Sequence, residues 1–305
     1  MKAGTNLEKI LESGRFAVTA EVGPPRGAVA SVVQRKGELL KPFCDALNVT
    51  DNQTAIVRMS SGSACFLLKQ LGIDPVMQMV CRDRNRIAIQ SDLLGAVALG
   101  IGNILCLSGD YPSFGDHPTA KAVFDLDSVQ LIRLVRQMRD EHKFLSGEKI
   151  SGDMPVFIGA VENPFADPFE YRVRRLARKI KAGAEFIQTQ GVFDVRKFAK
   201  WMEMVTDRGL DKEVHILAGI IPMRSVGMAR HMRDNVPGVS VPDEIVTRME
   251  DAKDTKSEGL AICLEIIEQI KEIPGIHGIH IMAVGWEDIV PTIIEKAGLL
   301  PRPLI

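Results

Sequence analysis

The sequence has few of the features that mark several large classes of protein. Aromatic residues make up only 5% of its 305 residues, too few for a surface that stacks nucleic-acid bases. The formal net charge is -1, so no overall charge attracts the chain to nucleic acid or to a membrane surface. No apolar run approaches the about 18 residues of a membrane-spanning helix. We therefore expect no nucleic-acid partner and no membrane span.

Cysteine is also sparse and has no ligand spacing. The five cysteines are Cys44, Cys65, Cys81, Cys106 and Cys263. No two of them form a Cys-x-x-Cys pair, and zinc and iron–sulfur sites depend on such spacings, so we expect no metal site. Scattered cysteines in apolar surroundings are typical of reduced thiols, and the polar N-terminal segment lacks the apolar core of a signal peptide. Both features predict a cytoplasmic protein.

Short apolar runs alternate with longer amphipathic patterns along the whole chain. There are eight such strand–helix units, from FAVTAEV at 16–22 to GIHIMAV at 278–284. Strands that alternate with helices imply parallel pairing and right-handed crossovers. Eight units without a change in composition predict one domain over residues 1–305, an α/β fold of the closed (β/α)8 or TIM-barrel type. An open doubly wound sheet is the alternative, although no Gly-x-Gly-x-x-Gly follows a strand.

Two insertions interrupt this alternation. Residues 110–127 form a long loop after the fourth predicted strand, and long loops in compact domains are commonly functional or mobile. Residues 242–272 predict two extra helices before the last strand.

The first predicted strand ends in a carboxylate, just before the turn Gly-Pro-Pro. Ala17, Thr19 and Glu21 share the parity that faces the lumen of a barrel, and Glu21 is the last of the three. It therefore lies at the C-terminal mouth, where barrel enzymes hold their active sites. Apolar neighbours disfavour the ionised form of a carboxyl group, so we expect Glu21 to carry a proton and act as a general acid.

Polar residues end several other predicted strands, and together they predict a shared site at the same mouth. They are Asn48, Thr50, Asp51, Ser108, Asp110, Glu162, Asn163, Gln188 and Gln190. Structural roles remain open for single members: Asp51 and Asp110 can cap turns, and Gln188 can be a hydrogen-bonded core amide. His280, in the last strand, has a structural and a catalytic interpretation. The basic run at 171–183 is either a solvated helix face or a phosphate-binding edge of the mouth.

The order of motifs resembles the methylenetetrahydrofolate reductase family, flavoproteins with a (β/α)8 barrel, over nearly the whole chain. The matching segments are TAEVGPPRG at 19–27, NVT at 48–50, LSGDYP at 107–112, RKIKAGAEFIQTQGVFD at 178–194 and ILAGIIPM at 216–223. The two extra helices before the last strand also have counterparts in that family.

The resemblance implies roles for individual residues. Glu21 falls on the family's catalytic acid, Asp110 on an aspartate that faces folate and flavin, and Gln190 on a glutamine that binds the pterin. Thr50 matches a residue near the nicotinamide and the flavin, so both substrate and cofactor binding are expected of it. The remaining cofactor-binding positions are Gln78, Ser108, Gly109, Asn163, Arg178 and Lys179. Gln78 and Ser108 depart from the histidine and arginine of the family pattern.

The implied activity is the flavin-dependent reduction of 5,10-methylenetetrahydrofolate to 5-methyltetrahydrofolate, with FAD as cofactor or FMN as the alternative. Arg172 falls near an aspartate on the adenosine side, Trp286 near a substrate-contacting arginine, and Val226 near an aromatic residue that helps to bind the nicotinamide. These departures raise the alternative that an iron–sulfur partner subunit delivers the electrons, and a homo- or hetero-oligomer is left open. A pterin-binding methyltransferase barrel that serves a corrinoid partner, and a non-catalytic subunit of a redox complex, remain open.

Overall fold

Eight parallel strands close into a barrel in the computed structural model, which describes residues 2–236 and 238–303. The strands are β1 (Ala17–Val22), β2 (Ala46–Val49), β3 (Pro75–Val80), β4 (Asn103–Leu107), β5 (Phe157–Glu162), β6 (Phe186–Gly191), β7 (His215–Ile220) and β8 (Gly278–Ile281). Each strand pairs with the next in sequence, and β8 pairs with β1. The predicted (β/α)8 barrel is confirmed, and the open sheet is excluded.

Helices follow the strands and cover the outside of the barrel. They are α1 (Asn6–Glu12), α2 (Ala30–Leu40), α3 (Ser61–Gln70), α4 (Arg86–Ala98), α5 (Ser128–Asp140), α6 (Phe169–Ala182), α7 (Val195–Thr206), α8 (Val226–Asn235), α9 (Asp243–Asp251), α10 (Thr255–Lys271) and α11 (Val290–Lys296). Side-chain caps fix several starts: Asp127 forms a capping box with Gln130 at α5, and Asp194 caps α7. The helices α9 and α10 are the two extra helices that the sequence predicts.

The two faces of the sheet carry separate apolar layers, as strand alternation requires. On β1, Val18, Ala20 and Val22 are buried against the surrounding helices, whereas Ala17 belongs to a second cluster inside the barrel. This inner cluster fills the lower lumen with Leu105, Phe157, Phe186 and Leu217. The lumen is therefore closed below and polar above, where the odd-numbered positions of β1 continue to Glu21.

Helix α1 closes the N-terminal end of the barrel. Its residues Leu7, Ile10 and Leu11 are at most 1% exposed and pack in the same inner cluster. The Leu7 backbone N–H also donates to the Asp74 carboxylate at 3.2 Å, which ties the helix to the start of β3. The sequence shows an amphipathic segment here but not its position under the barrel.

The long loop after β4 reaches the loop after β2. A short 3-10 turn at Pro112–Phe114 meets another at Gln53–Ala55, and a Cβ added to Gly115 would come 1.9 Å from the Ala55 carbonyl oxygen. This contact requires glycine at position 115. No helix within residues 2–236 and 238–303 combines the length and apolarity that crossing a membrane requires.

Candidate active site

A cavity of about 450 Å³ opens at the C-terminal mouth of the barrel. That volume lies within the usual range for small-molecule sites. Nine of the ten site residues predicted from the sequence line this cavity, and they are Glu21, Thr50, Gln78, Ser108, Gly109, Asp110, Asn163, Lys179 and Gln190. Residues from six different strands or the loops after them thus meet at one place, as the polar strand ends predict.

Two predicted residues do not line the cavity: Asn48, a polar strand-end residue that is buried against Gln188, and Arg178, the tenth of these site residues. The Arg178 side chain is exposed, and its Nη1 atom lies 3.4 Å from the Tyr171 hydroxyl oxygen. The face of α6 that meets the cavity carries Arg172, Arg175 and Lys179 instead. These three positions are spaced by three and four residues and so share one helix face, which Arg178 does not.

Glu21 projects from the end of β1 into the lower part of the cavity. Its side chain is 14% exposed, and its Oε1 atom accepts a hydrogen bond from Gln78 Nε2 at 3.3 Å. The Nε2 atom of His280 lies 3.7 Å from the same oxygen. The carboxyl group is thus accessible from the cavity and is held from one side by β3 and from the other by β8.

A buried hydrogen-bond network lies beneath Glu21 and fixes the His280 ring. His280 Nδ1 is 2.9 Å from Thr19 Oγ1, which accepts a hydrogen bond from Gln188 Nε2 at 3.2 Å. The amides of Gln188 and Asn48 pair with each other at 2.6 and 3.1 Å. Gln188 is therefore the hydrogen-bonded core amide of the structural interpretation, although its edge also reaches the cavity wall.

Asp110 lies at the rim, where a glycine turn follows β4. Gly109 has φ +89°, and an added Cβ would lie 3.0 Å from the Val80 Cβ atom, so this turn requires glycine. The backbone carbonyl of Asp110 accepts a hydrogen bond from Arg82 Nη1 at 3.2 Å, while its side chain is exposed. The Ser108 hydroxyl oxygen accepts the Ser128 N–H at the start of α5.

Thr50 and Asp51 directly follow β2 but differ in their hydrogen-bond partners. The Asp51 carboxylate is fully buried and accepts from the Val80 N–H at 3.0 Å and from Arg84 Nη1 at 2.7 Å. Because these bonds occupy the carboxylate, we assign Asp51 a structural role in holding β2 to β3 and Arg84. The buried Thr50 Oγ1 atom, in contrast, has no hydrogen-bond partner among the described residues. A buried hydroxyl without a partner carries a free-energy cost, so Thr50 is suited to a ligand in the cavity.

Gln190 reaches the cavity where the pairing of β6 with β7 is irregular. The register shifts between Gln188 and Gly191, and such a bulge re-aims the side chains beside it. The Gln190 Oε1 atom accepts the Gly191 N–H at 2.9 Å. The Gln190 side-chain NH₂ group remains to donate to a ligand.

Lys179 forms a buried ion pair with Glu162 at 2.7 Å and also donates to the Val161 carbonyl. Burial lowers the pKa of Lys179, and the positive charges of Arg175 and Arg172 lower it further, whereas Glu162 opposes the change. The adjacent Asn163 accepts the Phe165 N–H at 3.0 Å through its side chain. The charges of Glu162, at the end of β5, and of Lys179 thus compensate each other.

Sequence reasoning did not single out Arg82, covered Arg175 only within the basic run at 171–183, and left His280 undecided between a structural and a catalytic role. Arg82 and Arg175 line the cavity, and His280 stands directly beside Glu21. For Arg175 a usable signal existed, because helical periodicity places it between Arg172 and Lys179 on one face. For His280 no local signal existed, since its partners come from β1.

A family model and the curated relatives agree on one family. A family model described as "Methylenetetrahydrofolate reductase" matches residues 6–298. "Methylenetetrahydrofolate reductase 2" of Schizosaccharomyces pombe is 28% identical over 99% of this chain, which covers 48% of that protein. The chain spans half or less of the length of this and several similar curated relatives. "5,10-methylenetetrahydrofolate reductase" of Pectobacterium carotovorum is 23% identical, with 94% of this chain and 92% of the relative covered.

One solved structure with a similar fold is an uncharacterized protein from Clostridium thermocellum that binds two copies of 5-methyl-5,6,7,8-tetrahydrofolic acid. The TM-score is 0.67 at 13% identity, with 96% of this chain and all of that chain covered. At this level of identity the likeness establishes the fold alone.

Proposed function

The chain belongs to the methylenetetrahydrofolate reductase family, and from this premise we propose that it catalyses the flavin-dependent reduction of 5,10-methylenetetrahydrofolate to 5-methyltetrahydrofolate. The observation that carries the proposal is the position of Glu21, a cavity carboxyl group held between Gln78 and His280. The solved barrel from C. thermocellum binds 5-methyltetrahydrofolic acid, which is the product that we propose here.

Several features of the cavity support the binding of a flavin nucleotide. The buried Thr50 hydroxyl lacks a partner among the described residues, and the Gly109 turn leaves backbone close to the cavity without a side chain. Gln78, Ser108, Asn163 and Lys179 complete the residues that we expect to hold the cofactor. A reduced flavin held by these residues would supply the hydride for the methylene carbon.

Three residues of the chain act on the folate in this mechanism. Glu21 donates a proton to the folate nitrogen that leaves the methylene carbon when the five-membered ring opens. The exposed Asp110 carboxylate stabilises the positive charge that develops on the opened iminium. The side-chain NH₂ group of Gln190 hydrogen-bonds to the pterin edge. Glu21 and Asp110 come from separate strand ends and therefore act on the substrate from separate sides of the mouth.

The electrons are expected to come from a separate partner, and an iron–sulfur subunit is the donor that we propose. Cys65, Cys81, Cys106 and Cys263 are buried and free, and burial raises the pKa of the Cys81 and Cys263 thiols to about 12. Protonated, buried thiols are poor ligands for a cluster. Within residues 2–236 and 238–303, no group of three or more His, Cys, Asp or Glu side chains is arranged to hold a metal ion.

The proposal is tested by flavin titration followed by a single turnover. Purified protein is titrated with FAD and with FMN, and the bound flavin is reduced with dithionite without oxygen. Mixing with 5,10-methylenetetrahydrofolate should restore the absorbance of the oxidised flavin and yield one 5-methyltetrahydrofolate per flavin. Failure to bind either flavin would refute the proposed reductase activity. Methyl transfer from 5-methyltetrahydrofolate to a corrinoid protein without flavin would support the methyltransferase alternative instead.

A further inference from the structure

A second, smaller cavity lies next to the main cavity at the mouth of the barrel. This side cavity has a volume of about 200 Å³ and is lined by residues of the loops after β1, β2 and β8 and by Lys36 of α2. Glu21 and Gln53 line both cavities. The proposed acid therefore stands between the main cavity and the side cavity.

The side cavity reaches the protein surface beside the loop after β8. Val284 lines it and is 47% exposed. Lys36 and Glu287 form an ion pair in its wall, and their side chains are 22% and 15% exposed. Lys36 also donates to the Gly23 carbonyl oxygen at 3.2 Å, so this pair joins the loops after β1 and β8. The side cavity thus offers Glu21 a second path to solvent.

The polar walls of the side cavity are suited to hydrogen-bonded water. Arg58 lines it and donates through Nη1 to the Pro24 carbonyl oxygen at 3.1 Å, whereas its Nε atom is buried and has no hydrogen-bond partner in residues 2–236 and 238–303. Buried water commonly satisfies such groups, and a polar cavity of this volume has room for several molecules. Together with the ion pair near the surface, these groups can hold a chain of water that leads to Glu21.

The proposed reaction takes one proton from Glu21 in each turnover. The folate nitrogen receives this proton, the methylene carbon receives the hydride of the reduced flavin, and Glu21 is left as a carboxylate. The carboxylate must regain a proton before it can act again. Cofactor and substrate bound in the main cavity would cover Glu21 from that side, whereas the side cavity lies outside them.

We propose that the side cavity is the path by which solvent returns a proton to Glu21 while the main cavity is occupied. This inference rests on the proposed function, since it concerns the acid of the same reaction. A proton from bulk solvent passes along the water chain, and one O–H bond forms on the Glu21 carboxylate as one breaks on the last water. Lys36, Arg58 and Glu287 are the charged groups that line this path with Glu21, and His280 faces the same carboxyl group from β8.

Gly23→Leu should obstruct this path, because Gly23 lines the side cavity but not the main cavity, and a Cβ added there meets no heavy atom within 4 Å. Gly27→Leu is the matched control, since Gly27 lies in the same loop and lines neither of the two cavities. Each protein, with its flavin reduced by one equivalent of dithionite, is mixed in a stopped-flow instrument with 5,10-methylenetetrahydrofolate in weak buffer that contains a pH-indicator dye. Flavin oxidation and proton uptake are then followed together.

Wild-type protein should take up one proton per flavin oxidised, without a lag behind flavin oxidation. Gly23→Leu should oxidise its flavin at the wild-type rate, which also verifies that it is folded. Its proton uptake should be slower on the order of 10-fold, because the acid is regenerated by a less direct proton transfer. Gly27→Leu should keep both wild-type rates. Val284→Trp, at the exposed opening of the side cavity, is a second obstructing variant and should behave as Gly23→Leu does.

The outcomes distinguish this inference from the function on which it rests. If methylenetetrahydrofolate does not oxidise the flavin of wild-type protein, the proposed function fails and this inference with it. Proton uptake at the wild-type rate in Gly23→Leu or in Val284→Trp would overturn this inference alone, and would show that Glu21 regains its proton through the main cavity. A fall of both rates by the same factor would also overturn it, because the loop would then only hold Glu21 in place.

Discussion

The Nε2 atom of His280 lies 3.7 Å from Glu21 Oε1, and the opposite ring nitrogen lies 2.9 Å from the Thr19 hydroxyl. The Thr19 oxygen in turn accepts a hydrogen bond from Gln188, so the ring orientation is fixed by a buried network. When the Thr19 hydroxyl donates to Nδ1, the Nε2–H points toward the Glu21 carboxyl group. We therefore propose that His280 is a positioning residue, which would act on the proposed reaction through Glu21.

Replacing His280 with asparagine should separate these two contacts. The shorter side chain can keep a hydrogen bond to Thr19 but loses the atom that faces Glu21. We expect the single-turnover rate of methylenetetrahydrofolate reduction to fall about 10-fold, because small misplacements of a catalytic group are costly. The pH profile of that rate should change as well, while flavin affinity stays the same. An unaltered rate and pH profile would assign His280 to the structural network alone.

Glu21→Gln tests the acid itself. The amide keeps the size of the side chain and its contact with Gln78 but cannot supply a proton. The rate of methylenetetrahydrofolate reduction should fall by ~10²- to 10⁴-fold, the usual contribution of a general acid. Flavin binding and flavin reduction should not change, and Glu38→Gln, on the exposed face of α2, serves as the control. Equal single-turnover rates for Glu21→Gln and wild type would show that Glu21 takes no part in the chemical step.

Local patterns were sufficient to predict the barrel and the position of Glu21. Strand alternation has a period of two residues, so the lumen parity of Thr19 and Glu21 can be read from one segment. The partners of Glu21 could not be derived in this way. Thr19 and His280 are 261 positions apart in sequence and meet only because β8 pairs with β1.

The basic face of α6 shows a different limit of prediction from sequence. The family resemblance assigns Arg178 to the cofactor site because of its place in a motif. In the structure, the phase of the helix brings Arg172 and Arg175 to the cavity instead. The position of α1 is a third case, since an amphipathic pattern shows which face of a helix is buried but not against what. The position of α1 depends on how elements pack, which a single segment does not encode, whereas the phase of α6 can be read from its own periodicity.

The electron source gives the next prediction. Val226 begins α8 and packs partly buried against the core, so it offers no aromatic surface to a nicotinamide. In stopped-flow mixing, we expect NADH and NADPH to reduce the bound flavin slowly compared with turnover in the presence of a protein donor. Val226→Phe should speed reduction by NADH by about 2- to 10-fold, the equivalent of an added stacking contact. Rapid and complete bleaching of the wild-type flavin by either nucleotide would contradict an external protein donor.

Leu7→Ala tests whether α1 contributes to the stability of the barrel. The Leu7 side chain is fully buried in the inner cluster, and its removal leaves a cavity that the closed strands cannot easily fill. We expect the free energy of unfolding to fall by about 2–5 kcal/mol, measured by urea denaturation. Ile87→Ala, at a side chain that is 74% exposed, should change it by less than about 0.5 kcal/mol. If the two substitutions have equal effects, α1 does not close the barrel in solution.

Two histidines at the N-terminal end of the barrel make stability depend on pH. The rings of His215 and His277 meet edge to face with their centroids 5.1 Å apart, and His277 Nδ1 accepts the Ile216 N–H at 3.1 Å. Burial lowers the pKa of both histidines, and the neighbouring His215 lowers that of His277 further. The acids that oppose these changes are Glu12 and Glu185 beside His215, and Asp211 beside His277.

Because both pKa values are lower in the folded state, the unfolded chain binds more protons as the pH falls. The stability due to the neutral pair is therefore fully present above the unfolded value of about 6.5 and is lost as the pH falls through the folded values. We expect the free energy of unfolding in urea to decrease between pH 7.5 and pH 5.5. The decrease should be smaller in the double variant His215→Gln, His277→Gln, because it has no proton to take up at these positions. His231→Gln, at an exposed position on α8, should keep the wild-type dependence, and identical slopes in all three proteins would show that this pair is not the source.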